Sequence, residues 1–377
     1  MQEVVLSPGD TAWILVSAAL VLLMLPGLAL FYGGMTRSKS TLNMMMMVMG
    51  SLAVVGVLWV LYGYSFTFGE GGPFLGSLTQ YLGLAGLMAD DPAATYPAMA
   101  FVAFQAMFAA ITVALIAGAV ADRTRFNSWL VFSGLWVTLV YFPVAHWVWA
   151  PEGWIFAGLG PLNGTPAIDF AGGTAVHINA GVAGLALALV IGKRLGWPRT
   201  PMKPHNLTLV MIGAGLLWFG WFGFNAGSAL AANNTSAVVF LNTFVATCAA
   251  SLAWLLVERI RDGHATSLGA ASGIVAGLVA ITPSCSAVSP IGAIIVGVAA
   301  GALCALAVGW KYRLKYDDSL DVVGVHLVGG LVGTLLIGLL ATEAAPAGVN
   351  GLFYGGGFTQ LWSQLIAVVA VLVFSFL

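Results

Sequence analysis

The sequence predicts an all-α polytopic membrane protein of eleven transmembrane helices, and three observations predict it. Hydrophobic residues make up 60% of the 377 and charged residues only 7%, with a mean hydropathy of +0.98. A soluble domain is about one quarter charged, so the outer surface of this chain has to face lipid. Apolar stretches long enough to cross about 30 Å of hydrocarbon recur along the whole chain. Finally, all 13 Lys and Arg residues fall in alternate connections between those stretches, the asymmetry that sets membrane orientation.

The elements follow in order. The first span lies near 11–33, behind a segment with Glu3 and Asp10 but no basic residue, unlike the basic start of a signal peptide. Arg37 and Lys39 separate it from the second, near 41–66. The third, near 98–120, carries Phe104 and Phe108 on one face. Arg123 and Arg125 precede the fourth, near 127–148, which runs out at Trp149. The fifth, near 170–192, contains DFAGGTAVHINAG and ends at Lys193, Arg194, Arg199 and Lys203. In the sixth, near 206–226, WFGWFGFNAGSA puts Trp221, Phe224, Asn225 and Ser228 on one face. The seventh, near 235–257, ends at Arg259 and Arg261. The eighth and ninth lie near 267–282 and 289–309, the latter followed by Lys311, Arg313 and Lys315. The tenth, near 321–342, contains DVVGVHLVGG, and the eleventh lies near 360–377. With the basic connections inside, the N-terminus is outside and the C-terminus cytoplasmic. The outer segments then hold Glu70, Asp90, Asp91, Glu152 and Glu343. An odd count suggests a five-plus-five inverted repeat with one extra helix, an arrangement that puts a substrate path at the interface of the halves.

The 48 glycines point to close helix packing. Cys248, Cys285 and Cys304 sit in apolar or small-residue runs without C-x-x-C spacing, and read as packing residues, not a metal site or a disulfide framework. A net charge of −1 implies neither nucleic acid nor an anionic surface as partner.

Polar groups inside a bilayer are costly and mark the place to look for function. His177 and His326 qualify. Two facing imidazoles can share one hydrogen bond and leave their other nitrogens for a small polar molecule or a proton; equally, each can bond a neighbouring helix. Asp169, eight residues before His177, falls on the helical stripe Asp169, Gly172, Gly173, Val176 and His177, about 12 Å nearer the outside. Capping of its own helix is the preferred role, with an electrostatic contribution from behind the site. Phe108, Phe224, Trp149 and the Ser228 hydroxyl can form an outer cation site at about 0.5–2 kcal/mol per cation–π contact. Against that stands plain packing for the phenylalanines and an interface-belt role for Trp149. His146 is expected to hold a structural hydrogen bond, and His205 and His264 to be solvated.

These segments together resemble the ammonium transporter, methylammonium permease and Rhesus protein family, on its ammonium transporter branch. The resemblance runs collinearly from PGLALFYGGM through AFQAMFAAITVALIAGA, YFPVAHWVW, DFAGGTAVHINAG, IGKRLG, KPHNL, WFGWFGFNAGSA, SLGAASGIVAGLVAITP and DVVGVHLVGG. It implies ammonium transport across the cytoplasmic membrane by a homotrimer with one pore per subunit. Ammonium, and methylammonium with it, would be the substrate, with no cofactor, no metal and no catalysis. Phe108, Trp149 and Ser228 would recruit it, Phe108 and Phe224 would gate the pore, and His177 and His326 would line it as twin histidines. Asp169 matches the family's buried aspartate, and Trp221, Thr282, Ser272 and Tyr32 lie near the path. Residues 1–377 would form the transmembrane domain, without the cytoplasmic tail through which relatives contact PII signalling proteins. The outer segment 150–168 is long for the family. The alternative is the ammonium-sensing core of a longer signalling protein. An intramembrane zinc enzyme built on His177, His326 and Asp169 is disfavoured, since no H-x-x-x-H pairing is present.

Overall fold

The computed structural model describes residues 5–89, 94–200 and 202–377; Glu3, Asp90 and Asp91 lie outside the described residues. The helices long and apolar enough to span a membrane number eleven among them: α1 (Pro8–Met35), α2 (Ser38–Phe68), α3 (Ala98–Val120), α4 (Phe126–Trp149), α5 (Gly173–Ile191), α6 (Leu207–Gly227), α7 (Asn234–Asp262), α8 (Ser267–Ser284), α9 (Pro290–Leu314), α10 (Val323–Leu340) and α11 (Thr359–Phe376). Each predicted span has its helix, displaced by a few residues at the ends. Local chemistry sets several starts. The Ser7 hydroxyl accepts from the Asp10 N–H ahead of Pro8, and Asn233 and Ser236 cap α7 reciprocally.

The connections sort to two ends. At one, Arg37 pairs with Asp122 at 2.9 Å, Arg194 with Asp317 at 2.8 Å, and His205 Nδ1 lies 2.9 Å from the Thr36 carbonyl. That gathers the α1–α2, α3–α4, α5–α6 and α9–α10 connections. At the other, the Glu152 carboxylate accepts from the Gly71 and Gly72 N–H groups, and the Thr342 N–H donates to the Ala287 carbonyl.

Helix neighbours repeat with a shift of five. In the first half α1 packs on α2 and α3, α2 on α3 and α4, and α3 on α5. In the second, α6 packs on α7 and α8, α7 on α8 and α9, and α8 on α10. The halves meet along α1–α6 and α5–α10, while α11 lies outside the repeat against α5 and α10. An offset of five helices reverses direction, so the repeat is inverted. In both α5 and α10 the first turn is widened to a π turn, and each carries its histidine there.

Small residues permit these approaches. A Cβ at Gly297 or at Gly301 of α9 would fall 2.2 Å from the carbonyl oxygens of Ala246 and Ala250 in α7. Gly301→Ala is therefore expected to cost about 1–3 kcal/mol, whereas Gly215→Ala, with open space around it, should not destabilise the fold. Thermal unfolding of the two variants in detergent checks this; equal midpoints would refute close packing of α7 on α9.

Candidate functional site

The site lies where α3, α4, α5, α6 and α10 converge. Its solvent-open part, the outer cavity relative to the buried chamber beneath it, has a volume of about 740 Å³ and is lined among others by Gln105, Phe108, Trp149, Asp169 and Ser228. Segment 150–168 contributes Pro151, Phe156, Pro166, Ala167 and Ile168 to the same wall.

Asp169 is not part of the α5 helix, contrary to the stripe expected from periodicity. The chain turns at Gly172, whose φ of +120° no residue with a Cβ adopts comfortably, and α5 begins one residue later. The Asp169 side chain folds back over that start. It accepts from the N–H groups of Gly172 at 2.7 Å, Gly173 at 2.5 Å, Thr174 at 2.8 Å and Ala175 at 3.1 Å, and from the Thr174 hydroxyl. These are the donors that a helix start leaves unsatisfied. The carboxylate is thus held by charge-assisted hydrogen bonds on the positive end of the helix, and the capping expectation describes it. Its backbone carbonyl in turn accepts from Trp149 Nε1–H at 3.0 Å, which fixes the indole over the cavity.

At the floor of the cavity two phenyl rings lie one on the other. The Phe108 and Phe224 centroids are 4.2 Å apart with planes inclined by 21°, and both rings are buried. Trp149 stands edge-on to Phe108 at 5.8 Å. The Ser228 hydroxyl donates to the Phe224 carbonyl at 2.8 Å, leaving the lone pairs of its oxygen toward the cavity.

Beneath the rings is an enclosed chamber with about 10 Å³ of space for the centre of a water-sized molecule, roughly room for one. Phe224, His177, His326 and Trp221 line it with Met24, Leu28, Phe31, Ile111, Leu115, Val176, Leu217 and Val275. His177 and His326 face each other, Nδ1 to Nδ1 at 3.3 Å, with ring planes inclined by 23°. One proton serves that contact. Whichever ring holds it presents a bare Nε2, and the other presents an Nε2–H. Moving the shared proton reverses the pair when the bare Nε2 gains a proton and the other Nε2 loses one. His177 Nε2 is buried and has no protein partner, an open hydrogen-bonding position in an otherwise apolar chamber. The His177 ring also stacks on Trp221 at 5.3 Å, and Trp221 Nε1–H is held by the Thr282 hydroxyl at 2.8 Å.

A model of the Ammonium Transporter Family matches residues 12–377. The chain belongs to that family. Among relatives, the "Ammonium transporter" of Mycobacterium tuberculosis (strain ATCC 25618 / H37Rv) is 63% identical over 97% of this chain and 82% of its own length. That of Bacillus subtilis (strain 168) is 47% identical over 98% and 89%. The crystal structure of Saccharomyces cerevisiae Mep2 superposes with a TM-score of 0.88 at 36% identity, covering 98% of this chain and 86% of that one. A solved "Sensor Amt Protein" gives 0.88 at 29% identity, over 98% and 90%.

Within this family fold, Phe108, Trp149, Ser228, Phe224, His177, His326, Asp169, Trp221 and Thr282 come together. Others do not. Asn225 donates to the Thr243 hydroxyl in α7, away from the path. Ser272 is buried in α8 and Tyr32 donates to the Leu115 carbonyl in α3; neither lines the chamber or the outer cavity. His146 bonds the Thr67 and Gly72 carbonyls at 2.8 and 2.7 Å, the structural role expected of it, while His205 and His264 are exposed. The cysteines are free, with Cys285 and Cys304 buried. Gln105 was missed, although an uncharged amide three residues before Phe108 in an apolar helix is a signal. The aliphatic lining of the chamber gives none, since Met24 or Val275 reads like any packing residue.

Asp169→Asn presents an amide N–H₂ to a cluster of donors, and is expected to destabilise the start of α5 by about 2 kcal/mol or more. Amide hydrogen exchange at Gly172–Ala175 should accelerate at least tenfold; protection equal to the unaltered protein would show that the cap is dispensable.

Proposed function

We propose that this protein carries ammonium across the cytoplasmic membrane, with its N-terminus outside, as one subunit of a homotrimer. The stacked Phe108–Phe224 pair, set between a wide polar-edged cavity and a one-molecule apolar chamber with paired histidines, carries this reading. Ammonium collects at Phe108, Trp149 and Ser228. Cation–π contacts of about 0.5–2 kcal/mol each suffice for recruitment, but they cannot offset the desolvation of an ion, tens of kcal/mol in an apolar medium. Ammonium has a solution that sodium and potassium lack. It gives a proton to water in the outer cavity, near Asp169 and the gate, and passes the phenyl rings as neutral ammonia.

In the chamber the molecule meets one bare and one protonated imidazole Nε2, matching its own donors and acceptor. Uptake of a proton at the bare Nε2, hand-over along the Nδ1–Nδ1 contact and loss of the other ring's Nε2 proton give the released proton a route through the same pair, and make transport electrogenic. The alternative, a sensor core, draws on the likeness to the "Sensor Amt Protein". It is disfavoured by the paired histidines, for which a receptor that only binds in the outer cavity has no use.

Purified protein in proteoliposomes on a solid-supported membrane, pulsed with ammonium, tests the reading. We expect a sustained current that scales with protein content and is absent for potassium. A binding transient without sustained current or ammonia flux would favour the sensor. His177→Ala removes the shared hydrogen bond and should lower the current to background; a full, selective current in that variant would eliminate the histidine relay. Trp149→Ala should raise the half-saturating ammonium concentration about two- to thirtyfold, the factor that corresponds to one lost cation–π contact.

A further inference from the structure

The two halves of the repeat each place an aspartate eight residues before the histidine, Asp169 before His177 and Asp318 before His326. Their environments differ. Asp169 is saturated by four N–H groups and a hydroxyl. Asp318, at the opposite end of the bundle, is 1% exposed, and its carboxylate accepts from the Val323 N–H at 2.8 Å with the Val322 N–H beside it. Its Oδ1 is buried without any partner. A carboxylate left so poorly solvated is expensive to keep ionised.

Asp318 is also placed to meet the path. Val323 is the first residue of α10, and His326 lies three residues further, about 5 Å along the axis. Tyr32, next to the chamber-lining Phe31, faces Asp318 from α1. On the other side Lys311 Nζ donates to the Asp318 carbonyl at 3.0 Å and to the Asp321 carboxylate at 2.5 Å. Lys311 and Asp321 line an open cavity of about 610 Å³ at this end. Arg123 and Arg194 are engaged by the adjacent Asp317, and Tyr316 completes the surroundings. Burial pushes the Asp318 carboxyl up, to about 6; Lys311 opposes the shift and Asp321 adds to it.

We propose that Asp318 is the carboxyl group that returns a proton to ammonia at the cytoplasmic end of the pore. The inference rests on the transport reading above. The Asp318 O–H bond breaks as the N–H bond forms, giving ammonium and a carboxylate. That carboxylate is reprotonated by hydronium from water in the cavity lined by Lys311 and Asp321. The unpartnered Oδ1 is the atom that holds the proton, and the Asp321–Lys311 pair lies between it and the cytoplasm. Asp169, saturated by donors, has no equivalent free atom.

The test is the ammonium current of proteoliposomes as the internal pH is varied through about 5 to 8, the range from ordinary carboxylates to above neutrality. With the unaltered protein the current should fall as internal pH rises through the Asp318 range. Asp318→Asn should lower it about tenfold or more and flatten that dependence without changing the half-saturating external ammonium; Asp318→Glu should restore it. Lys311→Met keeps Asp318 but removes the opposing cation, so the fall should move to higher pH. That second variant decides the matter where Asp318→Asn does not fold. An Asp318→Asn protein with unaltered amplitude and pH profile, or an unmoved profile in Lys311→Met, overturns the proposal. Absence of both ammonium current and ammonia flux in the unaltered protein is a different result, which defeats the transport reading itself.

Discussion

Hydrocarbon contains no water to solvate a charge or a backbone amide, and the architecture answers that one constraint twice. Backbone groups are satisfied within eleven helices, and where a helix starts inside the protein a side chain has to replace the missing turn. Asp169 does this for α5 through four N–H groups and a hydroxyl. The same carboxylate lines the outer cavity and its backbone carbonyl holds Trp149. One capping interaction therefore sets the position of the π turn that opens α5, the histidine on it and the indole above it.

The constraint also explains the sequence of environments that a small molecule would meet. Wide polar-edged space gives way to two stacked phenyl rings and then to a chamber for one molecule. A cation is held comfortably only in the first. Stacked rings exclude water and ions without a charged side chain, and neutral imidazoles supply hydrogen bonds where a fixed charge would be prohibitive. The selectivity by deprotonation proposed above needs no ring of coordinating oxygens, which fits the scarcity of polar atoms along the proposed path.

Duplication builds this arrangement economically. The contacts of α1–α5 recur in α6–α10, and the halves join along α1–α6 and α5–α10. The α5–α10 seam is what brings His177 and His326 to 3.3 Å. Symmetry is kept in the backbone and broken in the side chains: Asp169 is saturated with donors, whereas Asp318 keeps one oxygen, Oδ1, without a partner.

Fold class, span count and the division of the connections between two ends were determined by the sequence alone, because lipid exposure acts on every residue of a span and charge on every loop. Asp169, His177, His326, Phe108, Phe224 and Trp149 were also legible as candidates, since polar or aromatic residues at these spacings stand out against an apolar background, and their resemblance to a known family assigned them roles. Tertiary structure decided which of them meet. Helical periodicity put Asp169 on the α5 stripe, but the turn at Gly172 folds it over the helix start instead. The same periodicity grouped Asn225 with Phe224, yet Asn225 bonds α7. The 3.3 Å histidine contact, the Trp221–Thr282 bond and the unpartnered Oδ1 of Asp318 join residues 61 to 149 positions apart or depend on how closely other helices pack. Periodicity speaks only of one helix at a time; the distance between two helices is set by the small residues between them and by every other contact in the bundle.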